Sequence, residues 1–276
     1  MRQGPLAGRY PAAAAMVMFA LIPYLALSAA LGPITPFIES DLHMSTQTMS
    51  LALGMANAAY AVGTVLAVQF SQLLHQRRMM VLYVVLLVIG SVLAASAQSS
   101  AMFIAGHILQ GLCTSLLLIA AVPPLALGFG AAKLRSTAVI MSMCIFGAVA
   151  LGPTIGGIQA SAHAWRPLFW VIAAISAGAL LLSLLTFEDS PPADPTAPRA
   201  PRVIALAAAG SVLAFYGASE LTTHKFLSLQ TVVPLIVGLA LIIALIVNQF
   251  RAKRPLLTLR GLLTSTLTNG LSVPSA

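Results

Sequence analysis

Eight apolar runs, each long enough to cross a bilayer, leave this chain few ways to fold. They lie at roughly 13–36, 49–73, 79–98, 101–127, 136–158, 167–187, 203–221 and 229–250. A hydrocarbon core about 30 Å thick is crossed by about 20 helical residues. In lipid the backbone must satisfy its own hydrogen bonds, which leaves helices or closed barrels. None of the runs alternates with period two, so helices are expected. Charged residues make up only 7% of the chain, against about 25% in a soluble domain, so the composition cannot build a water-facing surface. The expected class is an all-α polytopic membrane protein.

The charges sit between the runs. With the N-terminus on one side, that side receives Arg2, Arg9, Arg77, Arg78, Lys133, Arg135, Arg199, Arg202, Arg251, Lys253, Arg254 and Arg260, while the other receives only Arg166 and Lys225. Cationic loops resist translocation, so twelve against two predicts that both termini face the cytoplasm, and the expected location is the plasma membrane. The net charge of +8 therefore reflects topology, and no nucleic-acid partner is expected. The basic, apolar and small residues from Arg2 to Ala30 resemble a signal peptide, but the run is long enough to span. Ser45 or Thr46 is expected to cap the second span. The stretch 188–202, with Pro191, Pro192, Pro195, Pro198 and Pro201, cannot continue a helix and reads as an exposed linker. Cys113 and Cys144 fall within spans and read as small buried hydrophobes. No metal or cofactor is expected, and no paired bases, nucleophile or zinc spacing suggests an enzyme.

Polar and small residues within the runs are the candidates for function. In the fifth span Ala148, Gly152, Gly156 and Ala160 recur every fourth residue, a stripe against which another helix can pack closely. In the fourth, His107, Gln110 and Thr114 share one face, and three polar groups are costly to turn toward lipid. His107 suits proton transfer, because an imidazole titrates near pH 6.5; a neutral histidine bonded to a neighbouring helix is the alternative. Asn57, Tyr60 and Thr64 repeat that spacing in the second span, lining a cavity with His107 or joining helices. Glu220 ends the seventh span beside Thr222 and His224; interfacial exposure is its simplest account, a proton-coupling role the other. Arg77 and Arg78 are expected to anchor their loop at anionic lipid headgroups.

The fifth-span string Gly147-Ala-Val-Ala-Leu-Gly152-Pro153-Thr-Ile-Gly156-Gly157, followed by Trp165-Arg166, resembles the signature of the drug/proton antiporter branches of the major facilitator superfamily. Gly106-His107-Ile-Leu-Gln110-Gly111 is similar to the family's RxxQG motif with histidine for arginine, and Gly32 to Leu42 is similar to its PxxPxIxxDL ending. The loop 69–78 keeps only the two terminal arginines of the family's GxLaDRxGRR pattern. The resemblance implies a six-helix bundle of inverted three-helix repeats over 1–187, a linker at 188–202, two additional membrane helices over 203–250 and a basic tail at 251–276. It implies proton-coupled export of small, drug-like molecules, with Gly147, Gly152, Pro153, Gly156 and Gly157 in a bent helix between two halves. The second six-helix half is not among these residues, so the expected partners are the bilayer, a small-molecule substrate, protons, and either a second copy of the chain or the missing C-terminal half. A non-transporting membrane fragment or helix-bundle partner protein is the competing expectation.

Overall fold

A computed structural model describes residues 5–6, 8–186, 191–192, 194, 196–252 and 254–256. The expectations placed on Arg2, Pro195, Lys253, Arg260 and the tail from residue 257 lie outside the described residues. Among the described residues there are eight long helices: α1 (Tyr10–Asp41), α2 (Thr46–Leu73), α3 (Gln76–Ala95), α4 (Ser100–Leu127), α5 (Ala131–Ser161), α6 (Arg166–Thr186), α7 (Pro201–Ser219) and α8 (Leu229–Arg251). Each contains a stretch long and apolar enough to cross a membrane. One 3₁₀ turn, Glu220–Thr222, follows α7.

The helix ends follow local chemistry. Ser45 caps α2, its hydroxyl accepting from the Thr48 amide at 3.1 Å, and Ser228 caps α8 through Thr231 at 3.3 Å. α1 runs past the expected end at residue 36, straight through Pro23, Pro33 and Pro36. Each proline removes one amide donor, whereas unwinding in hydrocarbon would strand several groups. The chain then leaves α1 and α5 in the same way. His43 and His163 adopt φ of 50° and 52°, and the following amides reach back to Glu39 and Gln159 carbonyls at 2.8 and 3.1 Å. These are Schellman closures with histidine at the position where glycine is usual.

The helix pairings carry an internal symmetry. α1 packs on α5 and α6, α4 packs on α2 and α3, and the pairs α1·α4 and α3·α6 also meet. Exchanging α1, α2, α3 with α4, α5, α6 returns this same set of pairs, as an inverted three-helix repeat requires. Close crossings occur in both units. A Cβ on Gly111 of α4 would strike the Ala56 backbone of α2, and one on Gly156 of α5 would strike the Ala30 backbone of α1. Small residues permit this approach, and without a hydrophobic drive between helices in lipid, such packing holds the bundle together.

Two apolar clusters fill the bundle. One, with Met16, Leu21, Met80, Tyr83 and Leu117, lies toward the arginine-rich side. The other, with Ile34, Ile38, Phe103, Trp165 and Phe169, lies toward the opposite side. α7 joins the bundle through α2, where Gly54 lets the Phe215 carbonyl approach, and α8 packs on α7. Outward-facing side chains are large and apolar, with Met143 and Phe146 of α5 each 71% exposed, a perimeter suited to hydrocarbon and not to water. Cys113 and Cys144 are buried free thiols.

The described residues of the stretch expected to be an exposed linker are mostly exposed, and their backbone is also tied to the end of α2. The Asp194 amide donates to the Gln72 carbonyl at 3.1 Å, the Ala200 amide to Gln69 Oε1 at 2.9 Å, and Gln69 Nε2 to the Pro198 carbonyl at 3.5 Å. Gln69 is a buried polar side chain in a helix end, and the proline-rich backbone, short of its own donors, offers it the partners it needs.

Candidate functional site

Between the two apolar clusters lies a buried polar chain. Gly90 of α3 and Gly106 of α4 face each other with backbones in close approach, which brings Ser91 within reach of Gln110. His107 Nδ1 is 3.2 Å from Gln110 Oε1, Gln110 Nε2 is 3.1 Å from Ser91 Oγ, Ser91 Oγ is 3.4 Å from Ser176 Oγ, and Ser176 Oγ donates to the Ile172 carbonyl at 2.8 Å. An amide oxygen only accepts and an amide nitrogen only donates. Every proton in the chain therefore points the same way, from His107 on α4 through α3 to α6. In the neutral ring this fixes the proton on Nδ1 and leaves the lone pair on Nε2. Thr114 closes the face by donating to the Gln110 carbonyl at 2.8 Å. His107, Gln110, Ser91 and Ser176 are all essentially inaccessible, so this set is satisfied internally, as a buried network must be.

Aromatic rings extend the site. The His107 ring lies 5.8 Å from Phe103 and 5.9 Å from Tyr24 of α1, and Tyr24 stacks at 6.2 Å on Tyr60 of α2. The structure thus brings Tyr60 toward His107 through Tyr24. Asn57 is exposed and Thr64 donates to its own helix at the Tyr60 carbonyl. Ala56 and Ala58 are instead the buried residues of this stretch of α2, and it is the Ala56 backbone that Gly111 of α4 meets.

Glu220 is not exposed as expected. It retains 5% of its accessible surface, with Gln47 of α2 donating at 3.2 and 3.4 Å and His224 at 3.0 Å. The 3₁₀ turn after α7 folds the carboxylate back over α2, far along the chain from His107.

The five residues of the α5 signature divide between two surfaces. Gly152 meets Ala26 and Ala29 and Gly156 meets Ala30, all on α1. Space around Gly147 and Gly157 is open, and Pro153 is exposed. Arg77 and Arg78 stand at the start of α3 beside Val81, Leu82, Val85 and Leu184, with an Arg77 guanidinium nitrogen 3.4 Å from the Leu184 carbonyl.

Sequence reasoning missed a clasp on the side away from the arginine-rich loops. Asp41 at the end of α1 receives both the Trp165 indole nitrogen, at 3.0 Å, and the Arg166 guanidinium. Arg166 also donates to the Ala97 carbonyl at 2.7 Å and lies 4.6 Å over the Trp165 ring. One arginine thus ties the turns after α1, α3 and α5. The signal was present, since Arg166 is one of only two cations on that side, but its partner Asp41 is 125 residues away.

A membrane protein whose first six helices form two exchangeable three-helix units, enclosing a satisfied polar chain between two apolar clusters, has the architecture of a secondary transporter bundle. The chain belongs to the Major Facilitator Superfamily, whose profile matches residues 17–275. It is 28% identical over 172 residues to the multidrug resistance protein MdtL of Escherichia coli O127:H6 (strain E2348/69 / EPEC), covering 60% of this chain and 43% of that one. It is 29% identical over 161 residues to the putative uncharacterized transporter YgaY of Escherichia coli strain K12, covering 58% and 39%. The chain therefore spans under half the length of these curated relatives. Among solved structures it resembles a POT family transporter in complex with a thioalcohol-conjugated peptide, with TM-score 0.63, 15% identity and coverage of 88% of this chain and 53% of that one. It also resembles the human organic anion transporter MFSD10 (TETRAN), with TM-score 0.51, 18% identity and coverage of 79% and 57%. At these identities the structures speak for the fold.

Proposed function

We propose that this chain forms one half of a proton-coupled exporter of small, drug-like molecules in the plasma membrane, with both termini in the cytoplasm. The observation that carries the reading is the buried chain from His107 through Gln110 and Ser91 to Ser176. It is a titratable group held at membrane depth by partners on three helices, and intramembrane ionisable residues are retained for function more often than for stability. Kinship with a multidrug resistance protein supports drug-like substrates, and the twelve-to-two division of cations supports the orientation.

Substrate sites in this architecture lie between two bundles that rock against each other. The surface suited to the second bundle is the outer face of α5, where Gly147, Pro153 and Gly157 leave a shallow strip flanked by Phe146 and Leu151. A second copy of the chain or a separate C-terminal half would fill that role. The Glu220–His224–Gln47 cluster is a second proton-binding candidate, since it joins α7 to α2 on the far side of the membrane.

The test is efflux of a cationic dye from vesicles carrying the purified chain across an imposed pH gradient, at increasing protein density. Flux that rises with density and falls in His107→Ala, with that variant's thermal unfolding unchanged, supports the proposal. Flux equal to empty vesicles at every density refutes transport by paired copies of the chain; the same result with a C-terminal six-helix half of a relative co-reconstituted refutes the proposal and leaves a non-transporting membrane component as the reading.

A further inference from the structure

The strap 194–200 does more than close a loop. Between it and the ends of α2, α7 and α8 lies a cavity of about 610 Å³ with Arg199, Arg202 and Arg254 on its walls, together with Gln72, Asn248 and Gln249. The one described carboxylate at its edge, Asp194, is occupied: its Oδ1 accepts from the Thr196 hydroxyl at 2.6 Å and the Thr196 amide at 3.0 Å. Those bonds, and to a lesser degree the charge of Arg254, hold the Asp194 carboxyl below its ordinary pKa, so it stays ionised, bonded within the strap and near enough to Arg254 to be felt. Among the described residues Arg199 and Arg202 have no carboxylate within salt-bridge distance. α7 begins at the cavity wall with Ala200 at its cap, no capping side chain and no acid in its first turn. The positive end of its dipole therefore adds to the three guanidinium groups.

A second cavity of about 850 Å³ lies on the other side of the strap and shares Ala197, Arg199, Ala200 and Pro201 with the first. Its remaining walls include Phe70, Leu73, Leu74 and Ile204. α2 and α8 end here and α7 begins here, and the ends of membrane-crossing helices are where lipid headgroups lie. A cationic chamber thus adjoins an apolar one across a shared arginine, a division that matches a phosphate head and an acyl chain.

We infer that this paired cavity is a binding site for an anionic phospholipid, whose phosphate sits among Arg199, Arg202 and Arg254 and whose tail lies against Phe70, Leu73, Leu74 and Ile204. Guanidinium forks pair two phosphate oxygens at once, which suits a diester head. The site holds the strap, α2, α7 and α8 together and does not depend on the transport reading.

The test is native mass spectrometry of the full chain, titrated in detergent with phosphatidylglycerol, with phosphatidylcholine, and with inorganic phosphate as competitor. One phosphatidylglycerol is expected to bind in preference to phosphatidylcholine and to withstand inorganic phosphate. Each arginine near a membrane surface contributes about fivefold to affinity for an anionic lipid. Arg202→Gln should therefore weaken phosphatidylglycerol about fivefold, and the triple variant Arg199→Gln/Arg202→Gln/Arg254→Gln about a hundredfold. Arg135→Gln, on α5, should leave it unchanged. Equal affinity for the two lipids, or phosphatidylglycerol binding unaltered in the single variant, overturns the inference. Displacement by inorganic phosphate assigns the chamber to a soluble anion and overturns the lipid.

Discussion

Two adjacent glycines of the α5 signature should respond in opposite ways to the same added methyl group. A Cβ built on Gly156 lies 3.0 Å from the Ala30 carbonyl carbon, 3.1 Å from its Cα and closer still to its oxygen, all backbone atoms of α1 that cannot rotate aside. Accommodating it requires the two helices to part, an overpacking cost of about 1–3 kcal/mol. Alanine returns about 1 kcal/mol through its better helix propensity, which leaves Gly156→Ala destabilised by up to about 2 kcal/mol. A Cβ on Gly157 meets nothing within 4 Å, so Gly157→Ala should be neutral or stabilised by up to about 1 kcal/mol. Unfolding by SDS in mixed micelles, followed through Trp165 and Trp170, reads both midpoints against wild type. Equal midpoints for the two variants, or a larger loss at Gly157, would refute the packing of α5 on α1 by this face.

If Gly157 faces the second bundle, Gly157→Leu should keep the wild-type unfolding midpoint yet reduce dye flux, measured side by side in micelles and vesicles. Gln110→Leu strips His107 of its acceptor and Ser91 of its donor; buried groups left unpaired cost about 1–3 kcal/mol each, so its SDS midpoint should fall further than that of Ser91→Ala. Asp41→Asn removes an ion pair whose side chains are 42% and 39% exposed, worth less than about 1 kcal/mol. Its effect should appear as faster amide exchange in 96–99 and 162–166 and not as global unfolding. Asp194 titrates below its ordinary value because Thr196 hydrogen-bonds the ionised form. Its contribution to docking of the strap is therefore full above the ordinary carboxylate range and is lost as pH falls through the lowered value. Protection of the 196–200 amides, taken relative to intrinsic exchange at each pH, should fall in acid below about pH 4 in wild type, with that step missing in Asp194→Asn.

The membrane helices were legible because hydropathy acts locally: a run of apolar residues must cross whatever its neighbours do. The cap at Ser45 and the small-residue stripe on α5 were legible for the same reason, each being set within a few residues. What escaped depended on distance. Ser91 and Ser176 are single hydroxyls in apolar runs, and only the Gly90–Gly106 crossing joins them to Gln110. The burial of Glu220 rests on Gln47, which lies 173 residues earlier. Proline content marked the break before α7 but could not indicate that its backbone finds partners elsewhere, and here Gln69 supplies them. The spacing of the α5 stripe picked out Gly152 and Gly156, which meet α1, while Gly147 and Gly157 of the same motif are turned to open space.

The central claim, that substrate leaves in exchange for protons through His107, is tested most directly by watching the protons themselves. Vesicles loaded with a pH-sensitive dye and carrying the chain at high density are given an outwardly directed gradient of a cationic substrate and no imposed pH difference. The account predicts acidification of the lumen that depends on the substrate, saturates with it and disappears in His107→Ala. Substrate efflux with no change in luminal pH, or acidification that persists undiminished in the variant, would contradict it.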